Sequence, residues 1–482
     1  MATPTIIPIE TPSLGDRSYL IHDGEVAFVI DPQRDIDRVI ELAGSEHVRI
    51  THVFETHIHN DYVTGGLALA QLTGAGYFVN ADDAVSYART PVRDGDELSV
   101  GETMVVRAMS TPGHTFTHLS YALRADDRPV AVFTGGSLLY GTTGRPDLLG
   151  PQHTHDLVHA QYASAQRLAN ELPDEAEVFP THGFGSFCSA TQSEAATSTI
   201  GQERLSNSVL TEPEEHYVRE LLDALDVHPA YYVRMAPANL AGPSAPDLML
   251  PTRAEPDELR FRIEAGEWVV DLRHRTAFAT GHVPGTLNFA IDGEFATYLG
   301  WLITWGTPVT LLGETEQDVR RAQRELVRIG IDRPAAAATG TPQQWTTRPL
   351  RSFRQATFAD LDQVRHHRRV VVLDVRRAVE FAATRIEGAV NIPIHELPQR
   401  IHEVPDTEIW VHCAGGYRAS VAASFLAAAG RTLVAVDDSF DNARKTGLHL
   451  ITNELAVGHP DPVAAGPDRD AQRDLAAAGV RS

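Results

Sequence analysis

The chain has 482 residues and a formal net charge of −23. That length implies about three domains, and 43% hydrophobic against 22% charged residues is ordinary globular usage, which excludes global disorder. The acidic balance argues against nucleic acid or an anionic membrane as partner, and two distant cysteines, Cys188 and Cys413, exclude a disulfide framework or a Cys-rich metal module.

Met1 to Leu14 carries no basic and apolar signal pattern, and no apolar run reaches the ~20 residues of a membrane span. The expectation is a cytoplasmic protein with reduced thiols. Tyr19–Ile21 and Val26–Ile30 read as paired strands, followed by a helix near Ile36–Leu42. Ile50–Phe54 reads as a buried strand that runs into Glu55-Thr56-His57. Met104–Ala108, Ser120–Leu123, Val130–Phe133 and Val178–Thr181 read as further strands, with a helix over Thr154–Leu172. Residues 190–250 read as a polar helical connector ending in the Gly/Pro-rich linker 242–246. Beyond it one pattern occurs twice. A strand ending in Asp (Asp271, Asp374) leads through a helix to a Gly-containing turn and an Asn (Asn288, Asn391), 17 residues on in both copies. Two tandem domains are expected. The last stretch, 458–482, is poor in apolar residues and reads as a disordered tail.

Thr56-His57-Ile58-His59-Asn60-Asp61 follows a buried strand, and alternate residues of an extended turn let His57 and His59 face one metal. Gly113-His114 and Thr181-His182-Gly183 each follow another strand, where α/β sites collect. Together with Phe133-Thr-Gly and Gly144-Arg145-Pro-Asp147, these ordered motifs resemble the metallo-β-lactamase fold. The Gly-Arg-Pro-Asp segment and His182-Gly-Phe-Gly-Ser-Phe-Cys188 resemble persulfide dioxygenases and their rhodanese-fused relatives. The resemblance implies an αββα sandwich with a metal at one edge. Two departures stand out. Tyr62 replaces the His of the family's Asp-His pair, and Gly136 stands where the family carries a ligand Asp. A two-metal hydrolase loses its bridging ligand. The resemblance then implies one Fe(II) or Zn(II) held by His57, His59 and His114, with Asp61 or His182 as a further ligand or as an orienting group. Replacing Gly136 by Asp discriminates: gain of iron and of oxygen uptake would show that the fold keeps everything except one ligand. Arg145 either holds an anionic substrate group or pairs with Asp147.

In the second repeat a buried strand ends at Cys413, and Ala414-Gly415-Gly416-Tyr417-Arg418 leads into an Ala-rich helix. Backbone N–H groups and the positive helix end are thereby aimed at the sulfur, an arrangement that favours thiolate. Four residues between Cys413 and Arg418 resemble the rhodanese loop, whose pocket suits a persulfide sulfur. The related phosphatases have five. The equivalent strand of the first repeat, Pro308–Leu312, runs into Gly313-Glu314-Thr315 and offers no nucleophile. Cys188 is open to two roles, a sulfur acceptor near the metal or a packing residue.

The expected organisation is a metallo-β-lactamase-like domain with connector (1–245), an inactive rhodanese-like domain (252–345), an active one (355–455) and the tail (458–482). The expected function is sulfane-sulfur metabolism. Cys413 and Arg418 are its catalytic pair, Ala414, Gly415, Gly416, Tyr417 and Arg145 bind substrate, and a small persulfide or thiosulfate-like donor and a thiol acceptor are the partners. The alternatives are a mononuclear thioesterase or glyoxalase II-like hydrolase, and a metal-free N-terminal domain serving the rhodanese. Relatives carry an expectation of homo-oligomers.

Overall fold

The structure, a computed structural model, describes residues 4–126, 128–190 and 195–453. The tail expected at 458–482 lies outside the described residues. No described helix is long and apolar enough to cross a membrane.

The N-terminal half holds two six-stranded sheets. The first runs in chain order through β1 (Thr5–Thr11), β2 (Asp16–His22), β3 (Val26–Ile30), β4 (Arg49–Phe54), β5 (Gly76–Asn80) and β6 (Thr90–Val92). The second contains β7 (Glu97–Val100), β8 (Met104–Ser110), β9 (Leu119–Ala125), β10 (Arg128–Gly135), β11 (Glu177–Pro180) and β12 (Ser198–Thr199), again as sequential neighbours. Side chains alternate across each strand. In β3, Val26, Phe28 and Ile30 join Tyr19, Phe54, Tyr121 and Phe133 between the sheets. Ala27 and Val29 face outward with Val39 and Leu69, which come from helices Asp37–Ser45 and Gly66–Thr73. In β10, Ala131 and Phe133 point inward, and Val132 points out to Val158 and Leu168 of helix Pro151–Glu171. Burying each such large apolar side chain contributes about 1.5–3 kcal/mol. The result is the expected αββα sandwich. The sequence reading lacked β1, β5, β6, β7, β12 and helix Gly66–Thr73.

The C-terminal half holds two parallel sheets. One has the order β14 (Leu287–Asn288), β13 (Trp268–Asp271), β15 (Val309–Gly313), β16 (Ala336–Thr339). The other contains β17 (Arg354–Ala356), β18 (Val371–Asp374), β19 (Val390–Asn391), β20 (Ile409–His412) and β21 (Leu433–Val436). Its order, β19-β18-β20-β21-β17, repeats the first with one strand added. The repeated residues do the same work in both copies. Asp271 and Asp374 pair with Arg273 and Arg376 through two nitrogens each. Asn288 Nδ2 donates to Asp271 O and Arg273 O, and Asn391 Nδ2 donates to Asp374 O and Arg376 O. The side-chain amide thus ties each turn back to the strand it left.

One continuous apolar core joins the two copies to the sandwich. It runs from Tyr62, Phe187 and Cys188 through Trp301 to Cys413. Ion pairs frame the contact between the sandwich and the first copy: Arg328 with Asp35, Arg324 with Asp37, and Arg34 with Asp332.

Candidate functional site

The parallel strands β3 and β4, and β8, β10 and β11 in the facing sheet, end along one edge of the sandwich. Asp31 follows β3, Glu55–Asp61 follow β4, His114 follows β8, and His182 follows β11. Asp31 has φ +50, unusual for a side-chain-bearing residue. The turn is held because Thr56 donates to its carboxylate from both N–H and Oγ1, at 2.7 Å each.

His57, His59, His114 and His182 are all buried. Ligating atoms of His57, His59 and His182 lie within 4.8 Å of one another, and so do those of His114, His182 and Cys188. His57 and His114 are in edge-to-face contact at 4.8 Å. His182, read from the sequence only as an auxiliary, therefore stands in the middle of the cluster. Each ring is anchored by one nitrogen. His57 Nδ1 bonds Thr56 Oγ1 at 2.8 Å, and His114 Nδ1 donates to Arg145 O at 2.8 Å. His182 Nδ1 faces Asp16 at 2.9 Å and Asp61 at 3.2 Å. His59 is turned the other way, with Nε2 toward Tyr62 OH (3.0 Å), Asp31 (3.3 Å) and Glu55 (3.4 Å). His57 Nε2 lies 3.4 Å from His182 Nε2, while His59 Nδ1 and His114 Nε2 are buried without a hydrogen-bond partner. Each such orphan costs about 1–3 kcal/mol, which a bound cation offsets. The two sets share His182, and imidazoles with anchored outer nitrogens are donors that suit a zinc or iron ion.

The electrostatics follow from this packing. Burial would lower His59 and His182, but Asp31 and Glu55 push His59 up to about 9, and Asp61 and Asp16 push His182 up to about 10. Burial and the neighbouring rings drive His57 far below its usual range and His114 down to about 3. Burial and Asp61 lift Asp16 to about 7.

Both departures from the family motif have a structural counterpart. A Cβ at Gly136 would lie 2.3 Å from His114 Cδ2 and 2.6 Å from His114 Cγ. The imidazole thus occupies the volume an aspartate would need, so replacing Gly136 by Asp does not simply restore a ligand. Tyr62, wholly buried, uses its hydroxyl to hold His59 Nε2. The sequence reading missed His118, whose Nε2 accepts from Gly136 N–H at 3.0 Å and which stacks on His57 at 4.9 Å. It also missed Asp16, Asp31 and Glu55. Their signal was only that they are acidic groups beside or at the ends of apolar strands.

Arg145 pairs with Asp147 through Nε (2.7 Å) and Nη2 (2.8 Å) and donates to Phe187 O and Asp226 O. Of its two expected roles, the structure places it in the Asp147 pair. What it presents to the cluster is its carbonyl, on His114. Cys188 is fully buried, and burial together with Asp61 and Asp16 pushes its thiol well above the ordinary range.

In the second repeat β20 ends at His412, which leaves Cys413 at the mouth of the loop and 2% exposed. Gly416 N–H donates to Cys413 Sγ at 3.1 Å. That turn needs Gly416, whose φ is +94 and whose added Cβ would meet Asp437 Oδ1 at 2.2 Å. Ala414 O accepts from Phe440 N–H, and Gly415 is exposed at the tip. Tyr417 and Arg418 open helix Tyr417–Ala428. Arg418 turns inward, where both its terminal nitrogens bind Glu380 at 2.7 and 3.0 Å. The first copy supports this loop from outside. Tyr417 OH donates to Ala290 O at 3.2 Å and Ser420 Oγ donates to Asn288 Oδ1 at 2.8 Å. At the corresponding place in the first copy, Thr315 caps helix Glu316–Arg328 and no thiol is present.

Family models match this chain in two places: the metallo-beta-lactamase superfamily over residues 16–182 and the rhodanese-like domain over residues 357–445. A hydroxyacylglutathione hydrolase-like protein of Mus musculus is 33% identical over 148 residues, 30% of this chain and 50% of that protein. The mitochondrial persulfide dioxygenase ETHE1 of Bos taurus is 28% identical over 231 residues, 46% of this chain and 82% of that protein. The chain spans 48% to 62% of the lengths of the hydroxyacylglutathione hydrolase relatives. Among solved structures, a metallo-beta-lactamase from Staphylococcus aureus subsp. aureus COL superposes with a TM-score of 0.63 at 27% identity, covering 70% of this chain and 99% of that one. The chain thus joins a metallo-beta-lactamase superfamily domain to a C-terminal rhodanese-like domain.

Proposed function

We propose that the protein is a rhodanese-type sulfurtransferase that carries sulfur on Cys413, joined to a metal domain that processes low-molecular-weight persulfides. The observation that carries this reading is the 3.1 Å bond from Gly416 N–H to Cys413 Sγ at the start of a helix. That N–H is aimed at the sulfur, as a loop that carries a sulfur atom requires. The Cys413 thiolate attacks the outer sulfur of a thiosulfate-like or persulfide donor. The donor's S–S bond breaks, and sulfite or a thiolate leaves with the electron pair. The terminal sulfur of the Cys413 persulfide is then attacked by a thiol acceptor, which regenerates the thiolate. Ala414, Gly415, Gly416 and Tyr417 make up the loop beside the sulfur and are the substrate-binding residues of this reading, and the Arg418–Glu380 pair braces that loop.

In the N-terminal domain His57, His59, His114 and His182 would hold the metal, with Asp31 and Glu55 orienting His59 and Asp16 and Asp61 orienting His182. Iron there would supply the dioxygen chemistry that oxidises a persulfide. A mononuclear hydrolase is the second reading. It is favoured by the four-imidazole donor set, since oxygen-activating iron commonly uses two His and one carboxylate. Thiosulfate-to-cyanide sulfur transfer should fall to background in Cys413→Ser. Persulfide-dependent oxygen uptake should persist in that variant and track bound iron. Full transfer without Cys413 overturns the carrier assignment. Bound zinc with thioester turnover and no oxygen uptake selects the hydrolase.

A further inference from the structure

We propose that Cys188 supplies the anionic donor of the metal site, the place that a carboxylate at position 136 does not fill; this rests on the reading that the N-terminal cluster holds one ion. A divalent cation among the buried imidazoles brings two positive charges into a low-dielectric interior, and an anionic donor in contact with it offsets them most directly. Three of the buried carboxylates, Asp16, Asp31 and Glu55, stand on the outer side of the rings. Asp16 is behind His182 Nδ1, and Asp31 and Glu55 are behind His59 Nε2. The thiol is different. Cys188 Sγ lies within 4.8 Å of ring nitrogens of both His114 and His182.

A second observation points into the same space. His114 Nε2 is fully buried and has no hydrogen-bond partner, while Nδ1 of the same ring is fixed on Arg145 O. Arg145 N–H in turn donates to Cys188 O at 2.8 Å. The two polar groups of one peptide unit's residue therefore clamp His114 and Cys188 side by side. Cys188 N–H is held by Ser186 Oγ at 3.2 Å, so the loop that carries the thiol is fixed on both sides. Zinc, iron and cobalt all accept a His/Cys donor set. On binding, the metal–sulfur bond forms and the thiol proton leaves to solvent. Asp61 is the competing donor, since its carboxylate lies 4.0 Å from His59 Nδ1.

The test uses the full chain with Cys413→Ser, which leaves Cys188 as the sole cysteine. The protein is stripped by a chelator and reloaded with Co(II). One equivalent of cobalt should give an intense near-ultraviolet sulfur-to-cobalt charge-transfer band. Adding Cys188→Ser should abolish the band and weaken cobalt binding at least tenfold. X-ray absorption of the zinc form of Cys413→Ser should show one sulfur at about 2.3 Å beside nitrogens at about 2.0–2.1 Å, which needs no second substitution. Cobalt bound without the sulfur band, or a zinc shell of nitrogen and oxygen alone, overturns the proposal and makes Asp61 the anionic donor. Cobalt that does not bind at all overturns the metal reading with it. Neither result touches sulfur transfer at Cys413, which is assayed separately.

Discussion

Position 136 shows how one missing side chain reorganises a site. With no Cβ there, the His114 ring moves into the space and its Nε2 points at the cluster. Adding an aspartate would force ring and backbone apart. Gly136→Asp is expected to lower stability by about 1–3 kcal/mol and to leave iron content no higher than in the parent, as read by thermal unfolding and metal analysis. A variant that is equally stable and gains iron would show that His114 yields the space freely. His57, His59 and His114 were legible in the sequence because each follows a strand. The roles of His182 and His118 were not, because a histidine's place depends on which nitrogen its neighbours take up. Asp16 is 166 residues from His182, and no local pattern announces such a pair.

At the scale of elements, the Cys413 loop is a strand end, a glycine turn and a helix start, braced by an internal ion pair. Glu380 lies in helix Ala378–Ala383 and receives both prongs of Arg418. Burial alone would raise its carboxyl, but Arg418 and Arg377 hold it well below the ordinary value of 4.5. The sign of the pH dependence follows. The pair's contribution is fully present above pH 4.5 and is lost as acid titrates the carboxylate below it. Glu380→Gln removes the carboxylate that both terminal nitrogens of Arg418 bind. It should cost about 3 kcal/mol at neutral pH and flatten the loss of stability below pH 4.5, as measured by urea unfolding across pH. An unchanged acid slope would mean that Glu380 is not the titrating partner. The spacing of Cys413 and Arg418 was legible in the sequence. The turning of Arg418 onto Glu380 was not, since 38 residues separate the pair.

Over the whole molecule, the repeat without a nucleophile is a structural bridge. It contacts the sandwich through Arg328–Asp35 and meets the Cys413 loop through Asn288, Ala290 and the Arg275–Asp437 pair. Arg328 is buried against Asp35 and Glu325. Arg328→Met should destabilise the chain by about 3 kcal/mol and split its calorimetric unfolding into two transitions; one unsplit transition would show that the shared apolar core alone couples the halves. The layered architecture was legible in the sequence because two periodicities and an internal repeat are local signals. The bridge was not, because it is built from single side chains reaching between distant segments. The central claim is that sulfur travels on Cys413, and trapping the intermediate tests it most directly. A thiosulfate-treated sample quenched with an alkylating agent and digested should carry one extra sulfur on the peptide containing Cys413, and none should be found there in Cys413→Ser. An extra sulfur found instead on the peptide containing Cys188, or on neither peptide while transfer proceeds, would contradict the account.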